Sequence, residues 1–371
     1  MTEKIKILHI IKSLGKGGAE MLLQETLKLH DKEKFEFHFI YFLPWKNQMV
    51  EGLQKAGGIV TNFPAKDNIR IAMQTGKIIR YIKQHKIQLL HCHLPWAGFV
   101  GRFIHMRTGI PVIYSEHNKQ ERYHWVTKTM NRITFNKQTK VIAVSNDVAS
   151  SIQQFIQPKI PVQTILNGVN MDYFVRNEAA GRQLRQTYNI DKSCIVIGTI
   201  AVFRFQKRLK EWIDVFKIMH TKFPAIRGIV VGDGILNQEI RTYLKEQQME
   251  DFILFPGLQT DVLPWLSAMD IFMMTSEFEG LPVALLEAMS MQCTAVCTDA
   301  GGIKEVIRDK VDGFMVPVNG WRELEKPLTY LVENPTAIRE YGMKARRRVE
   351  ESFSLRAMVK QIEDVYFSIL K

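Results

Sequence analysis

Short runs of β-branched and aromatic residues alternate with amphipathic stretches along the first half of this chain. Residues 5–11, 35–42, 89–93, 112–117 and 141–145 read as strands separated by helical segments, the pattern of βαβ units that build a parallel sheet. One more strand is expected at 162–167, after which the alternation breaks in Asn167-Gly168-Val169-Asn170-Met171-Asp172-Tyr173-Phe174. A domain junction is placed there. The alternation restarts with 195–201, 228–231, 252–255, 271–275 and 294–298, again with helical segments between them, so a second parallel-sheet domain follows. Asn334-Pro335 opens a further helix, with Asn as its cap and Pro at its first position. Helical periodicity resumes over 355–370.

A length of 371 residues exceeds one ordinary core, and the predicted organisation is two Rossmann-like domains, 1–170 and 171–352, with a terminal segment 353–371. A composition of 46% hydrophobic and 24% charged residues is that of a soluble globular protein and excludes a disordered chain. No apolar run approaches the ~20 residues of a membrane span, and Met1-Thr2-Glu3-Lys4 leads into the first strand without the pattern of a signal peptide. Cys92, Cys194, Cys293 and Cys297 are scattered in apolar surroundings without zinc-type pairing, which suits inert core thiols. A cytoplasmic protein is expected. Its charge is polarised: residues 1–170 carry 24 Lys and Arg against 11 Asp and Glu, while 171–371 carry 26 against 27. A basic first half fits nucleic acid, a phosphate-bearing substrate or an anionic membrane surface.

Four places carry candidate chemistry. Ser276-Glu277-Phe278-Glu279-Gly280-Leu281-Pro282-Val283 leads into a helix, with Pro282 suited to its first position and Glu279 on the loop before it. Glu287 falls one and a half turns inside an apolar helix, where a charge needs a partner such as a polyol. Gly15-Lys16-Gly17-Gly18-Ala19-Glu20 follows the first strand and is either a tight turn or a loop whose backbone N–H groups meet a phosphate. Arg204, Lys207 and Arg208 follow the first strand of the second domain, as a solvated basic loop or as cations for a departing diphosphate. His91 and His93 share one face of a strand and His117 ends the next, which suits structural histidines or, for His117, a place in the site. There is no Asp-x-Asp pair to hold a divalent ion against a diphosphate, and no metal site is expected. Residues 119–140 mix six cations with Tyr123, Trp125, Met130 and Phe135, as a helix packed on the sheet or one lying on a membrane surface.

These segments together resemble a family 4 glycosyltransferase, a retaining enzyme of the GT-B fold that uses a nucleotide-activated sugar. The resemblance rests on Gly17-Gly18-Ala19-Glu20, His91-x-His93, Glu116-His117-Asn118, Val141-Ile142-Ala143-Val144-Ser145, Asn167-Gly168-Val169, Val231-Gly232-Asp233-Gly234, Phe255-Pro256-Gly257, Glu279-x7-Glu287 and Gly301-Gly302-x-x-Glu305. It implies two Rossmann-like domains facing an interdomain cleft, the first for the acceptor and the second for the nucleotide sugar, with the last helix crossing back onto the first. It also implies that Glu287 binds the ribose hydroxyls, that Glu279 lies near the donor sugar, and that the backbone of Gly280, Leu281, Pro282 and Val283, through the N–H groups around it, touches the sugar and phosphate. Gly17 and Gly18 would admit the diphosphate, His117 would stand near the transferred sugar, and Lys207 matches the diphosphate-binding lysine. The chain departs from the family at Val202, where an arginine is usual, and Arg204 is the candidate to replace it. Asn170 likewise stands where the family has aspartate.

The expected function is retaining, metal-independent transfer of a sugar, UDP-linked by this reading, to a glycan or lipid-linked acceptor in polysaccharide or glycolipid synthesis. No cofactor beyond the donor is expected, and a location on the inner face of the cytoplasmic membrane fits the basic first domain. The alternatives are a nucleotide-sugar epimerase of the same fold and a non-catalytic basic binding module.

Overall fold

The computed structural model describes residues 3–15 and 17–370, so Lys16 of the glycine loop lies outside the described residues. Contacts divide the chain into two units, 1–167 with 355–371, and 168–354. The junction falls at Gly168 rather than after residue 170, because Val169 bridges Ser354 and donates its N–H to the Phe353 carbonyl at 2.9 Å. That pairing also keeps residues 353 and 354 with the second unit.

In the first unit β1 (Ile5–Ile11), β2 (Phe35–Tyr41), β3 (Ile59–Asn62), β4 (Leu89–His93), β5 (Val112–Glu116), β6 (Lys140–Ala143) and β7 (Val162–Thr164) form one parallel sheet in the order β3-β2-β1-β4-β5-β6-β7. Side-chain alternation divides its strands between two cores. Leu8, Ile10, Leu90 and Val112 meet Ile71, Ile78, Val100 and Ile104 from the helices on one face. Ile7, Ile11, Leu89 and Ile113 meet Leu22, Leu27, Leu53, Met358 and Ile362 on the other. The helix Leu355–Leu370 thus completes a core begun by the first strand, and its Glu363 accepts from His30 Nδ1 at 2.8 Å. Residues 119–140 are not one helix: a single 3-10 turn, Gln120–Arg122, precedes the helix Trp125–Thr134.

In the second unit β8 (Val196–Val202), β9 (Arg227–Asp233), β10 (Ile253–Gly257), β11 (Ile271–Met274), β12 (Thr294–Thr298) and β13 (Phe314–Val316) are ordered β10-β9-β8-β11-β12-β13. Its core centres on Trp212, fully buried, with Nε1 donating to the Met273 carbonyl at 3.1 Å. The helix Pro335–Ser352 begins at Pro335 with Asn334 in the cap position, but the Asn334 amide donates back to the Tyr330 carbonyl instead of capping.

Candidate active site

The second sheet reverses its strand order between β8 and β11, and ligands of open parallel sheets bind at the carboxyl ends of such a pair. The chain leaves β8 in a single 3-10 turn, Phe205–Lys207, closed by Arg208 in the left-handed region at φ 47°. That conformation costs a non-glycine residue about 1–3 kcal/mol. It is held by Thr275 Oγ1, within hydrogen-bond reach of the Lys207 and Arg208 carbonyls at 3.1 and 2.8 Å, and by the Arg208 guanidinium donating to the Val318 carbonyl at 3.1 Å. The turn aims Lys207 across the reversal. Its Nζ donates to Glu279 Oε1 at 2.5 Å, and Ser276 Oγ donates to the same oxygen at 2.6 Å. The side chains of Lys207 and Glu279 are only 17% and 11% exposed, so salt screens this pair less than one on the surface.

Glu279 comes this close because two glycines let its loop settle on the next one. A Cβ on Gly302 would lie 1.8 Å from the Gly280 carbonyl oxygen, and one on Gly301, at φ 59°, would lie 2.1 Å from that of Glu279. The helix Val283–Ser290 starts directly afterwards. Pro282 is its cap rather than its first residue, because its ψ of 111° is extended. Gly280, Leu281 and Val283 stand at the helix mouth, where the helix dipole favours an anion. Glu287 is buried in that helix between Leu286 and Ala288. Arg204 caps the 3-10 turn, and its side chain is exposed, so it shares the loop with Lys207 without joining the ion pair. Thr275 carries no motif, and Ser276, which opens the stretch leading to Glu279, takes no role from the sequence; their place at the end of β11 marks both.

The first sheet reverses between β1 and β4. Gly17 there caps the helix Gly18–Leu29 in an extended conformation, so Gly17 and Gly18 sit where that helix begins. Across the reversal His9 Nδ1 and His93 Nε2 are 2.9 Å apart, and Leu94 follows His93 at φ 68°. His91 is held on both sides, by Tyr366 Oη at 2.7 Å and Ser115 Oγ at 2.8 Å. Burial first, then the neighbouring histidines, lowers His91 to about 3 and pushes His9 and His93 well below the ordinary imidazole range. These three are the only group among the described residues able to hold a metal ion, with donor atoms within 4.8 Å of one another. His9 escaped sequence reasoning, although its register opposite His91 on β1 and β4 gives it away in the fold.

His117 follows β5 beside this cluster, its ring 5.8 Å from that of His93. Burial lowers it to about 4, and its Nε2 has no hydrogen-bond partner among the described residues. Glu116 fixes the loop that carries it. This fully buried carboxylate accepts from Tyr123 Oη at 2.5 Å, Gln120 Nε2 at 2.6 Å, Tyr114 Oη at 2.9 Å and the His117 N–H at 3.0 Å. Burial raises its pKa despite those bonds.

Residues 182–349 match the family described as glycosyl transferases group 1, and residues 16–173 match glycosyltransferase family 4. The N-acetyl-alpha-D-glucosaminyl L-malate synthase of Bacillus anthracis is 29% identical over 231 residues, 62% of this chain and 60% of that one. The UDP-Gal:alpha-D-GlcNAc-diphosphoundecaprenol alpha-1,3-galactosyltransferase of Escherichia coli is 22% identical over 99% of this chain and 98% of its own length. Among solved structures, Anabaena HepE in complex with UDP-glucose superposes with a TM-score of 0.87 at 21% identity, over 98% of this chain and 100% of that one.

Proposed function

This chain belongs to glycosyltransferase family 4 and is a glycosyltransferase of GT-B architecture, and we propose that it moves a sugar, with retention, from a UDP-sugar to a glycan or lipid-linked acceptor in polysaccharide or glycolipid synthesis. The observation that carries this reading is the Lys207–Glu279 pair across the β8/β11 reversal. A nucleotide sugar offers each member a better partner: phosphate oxygens for Lys207 and sugar hydroxyls for Glu279. The N–H groups at the mouth of the Val283–Ser290 helix would share the diphosphate charge, and Glu287 would accept from the ribose hydroxyls. Arg204, exposed on the same loop, is free to swing toward the phosphates and to supply the cation that Val202 does not.

As the bond from anomeric carbon to phosphate oxygen breaks, negative charge grows on the diphosphate. Lys207, Arg204 and the helix mouth stabilise it electrostatically, a class of contribution worth about 10²–10³ in rate for one donor. The acceptor hydroxyl attacks from the same face of the sugar, its oxygen forming the new bond while its proton passes to the departing phosphate. This scheme asks for no metal. Buried, neutral His117 serves the first unit as a hydrogen-bonding group for hydroxyls, not as a cation. The UDP and undecaprenyl diphosphate in the names of the relatives support the choice of donor and acceptor class.

Donor hydrolysis measured across UDP-, GDP- and ADP-sugars tests the reading. Turnover of UDP-sugars that falls on Lys207→Ala supports it, and a donor isomerised in the absence of acceptor would replace it with an epimerase.

A further inference from the structure

Positive charge in the first unit is concentrated in one stretch. Residues 68–146 hold 13 Lys and Arg against two acids, Glu116 and Glu121. Of these two acids, Glu116 is fully buried under its donors, and Glu121 pairs with Lys119 at 3.0 Å, which offsets one of the thirteen cations. The stretch supplies the helices Asn68–Met73, Thr75–His85, Leu94–Thr108 and Trp125–Thr134, and no Asp or Glu occurs in any of them. With Asn146–Phe155, which carries Asp147, they form the layer on one face of the sheet, Leu94–Thr108 packing against both Asn68–Met73 and Trp125–Thr134. The opposite layer is of the ordinary mixed kind, with Glu20, Glu25, Glu51, Glu363 and Asp364 on its helices.

The outer side of the four acid-free helices is also apolar. In Trp125–Thr134 the exposed positions are Trp125, Lys128, Thr129, Arg132 and Ile133, spaced i, i+3, i+4, i+7 and i+8, so one helical stripe alternates cations with large apolar groups. Trp125 and Ile133 are 70% and 73% exposed. Ile69 and Met73 on Asn68–Met73 are 76% and 75% exposed, and Phe103 and Met106 on the helix between are exposed as well. Single exposed apolar side chains are normal, but such groups on three adjacent helices stripped of acids are not.

We propose that this face seats on an anionic lipid bilayer, with Lys128, Arg132 and Arg107 at the headgroup phosphates and Trp125, Ile133, Ile69 and Met73 entering the interfacial zone. A nucleic acid would gain from the cations and little from aliphatic side chains between them, whereas the boundary of headgroups and acyl chains rewards both. No helix among the described residues is long and apolar enough to cross a membrane, so attachment is lateral. The inference goes beyond the donor chemistry and would stand if the donor assignment failed.

Flotation of the full chain with vesicles of phosphatidylglycerol and phosphatidylcholine, against phosphatidylcholine alone, tests it without reading glycosyl transfer. Flotation with the anionic vesicles only is expected. Lys128→Glu/Arg132→Glu should lower it at least tenfold, from roughly fivefold per cation near the surface, and Trp125→Ser/Ile133→Ser several-fold. The same charge change on the opposite layer, Lys32→Glu/Lys55→Glu, should leave it near wild type, with unchanged circular dichroism certifying the fold of each variant. Equal flotation with neutral vesicles, equal loss in the opposite-layer control, or no loss from the apolar variant would each overturn the proposal. So would RNA binding of matching strength that the same substitutions abolish.

Discussion

Both sheets are wound alike and both reverse beside their first strand, yet different chemistry stands at the two reversals. In the second unit an ion pair, Lys207–Glu279, bridges the gap; in the first, two neutral histidines, His9 and His93, do so. Each crossing is flanked by a non-glycine residue in the left-handed region, Arg208 in one and Leu94 in the other, so the two backbones are strained alike. The side chains set them apart. An ion pair is a reserve of opposite charges that a ligand bearing phosphate and hydroxyls can take over, whereas a buried imidazole network offers hydrogen bonds and no charge. One topology therefore carries an ion pair at one reversal and a neutral imidazole network at the other.

The strongest way to break this contrast is Lys207→Ala, expected to lower turnover by about 10²–10³ with donor KM changed far less; near-normal turnover would remove the ion pair from catalysis. Gly302→Ala comes next. Its Cβ would collide with the Gly280 carbonyl, so the Glu279 loop must shift and UDP affinity measured by calorimetry should fall by at least tenfold. Glu287→Ala should weaken UDP binding by roughly 10- to 100-fold, the loss of a charge-assisted hydrogen bond worth about 1.5–3 kcal/mol. A nucleotide lacking both ribose hydroxyls should bind wild type and variant equally.

Acid sharpens the contrast on the first unit's side. His9, His91, His93 and His117 all titrate lower in the folded chain than the ordinary 6.5, so below that value the unfolded chain takes up protons that the folded one refuses. Stability from these groups is complete above about pH 6.5 and drains away as pH falls toward 4. Hydrogen exchange should quicken first in β1, β4 and Leu355–Leu370; earlier opening around β8 and β11 would contradict the comparison. The smallest effect expected is that of Tyr366→Phe, which leaves His91 Nδ1 without its partner. A cost of about 1–3 kcal/mol, read as a melting shift of a few degrees, should come without any change in UDP affinity.

Much of this was legible in the sequence. Strand alternation located most of the strands, because parallel strands buried on both faces read as near-continuous apolar runs. It missed β3 and β13, edge strands of four and three residues whose burial is partial. The motif residues Lys207 and Glu279 were legible singly, but their contact was not: it depends on the 3-10 turn and on the packing of Gly302 against Gly280, which have no periodic signature. Pro282 was placed one position too far into its helix, since a proline suits the cap and the first turn almost equally. His9 was missed for a different reason. A histidine in an apolar strand looks structural until the register sets it beside His91 and the last helix brings Tyr366.

That last helix also orders events in time. Residues 168–354 are contiguous and hold their own core, whereas the first unit lacks Leu355, Met358, Ile362, Val365 and Tyr366 until the second unit has been made. On the ribosome the unit that begins first is therefore completed after the second, and part of one apolar face of its sheet stays uncovered while the second unit is made. Chaperone dependence should fall on the N-terminal half, and truncation before Leu355 should send the protein into aggregates even though residues 168–354 are whole.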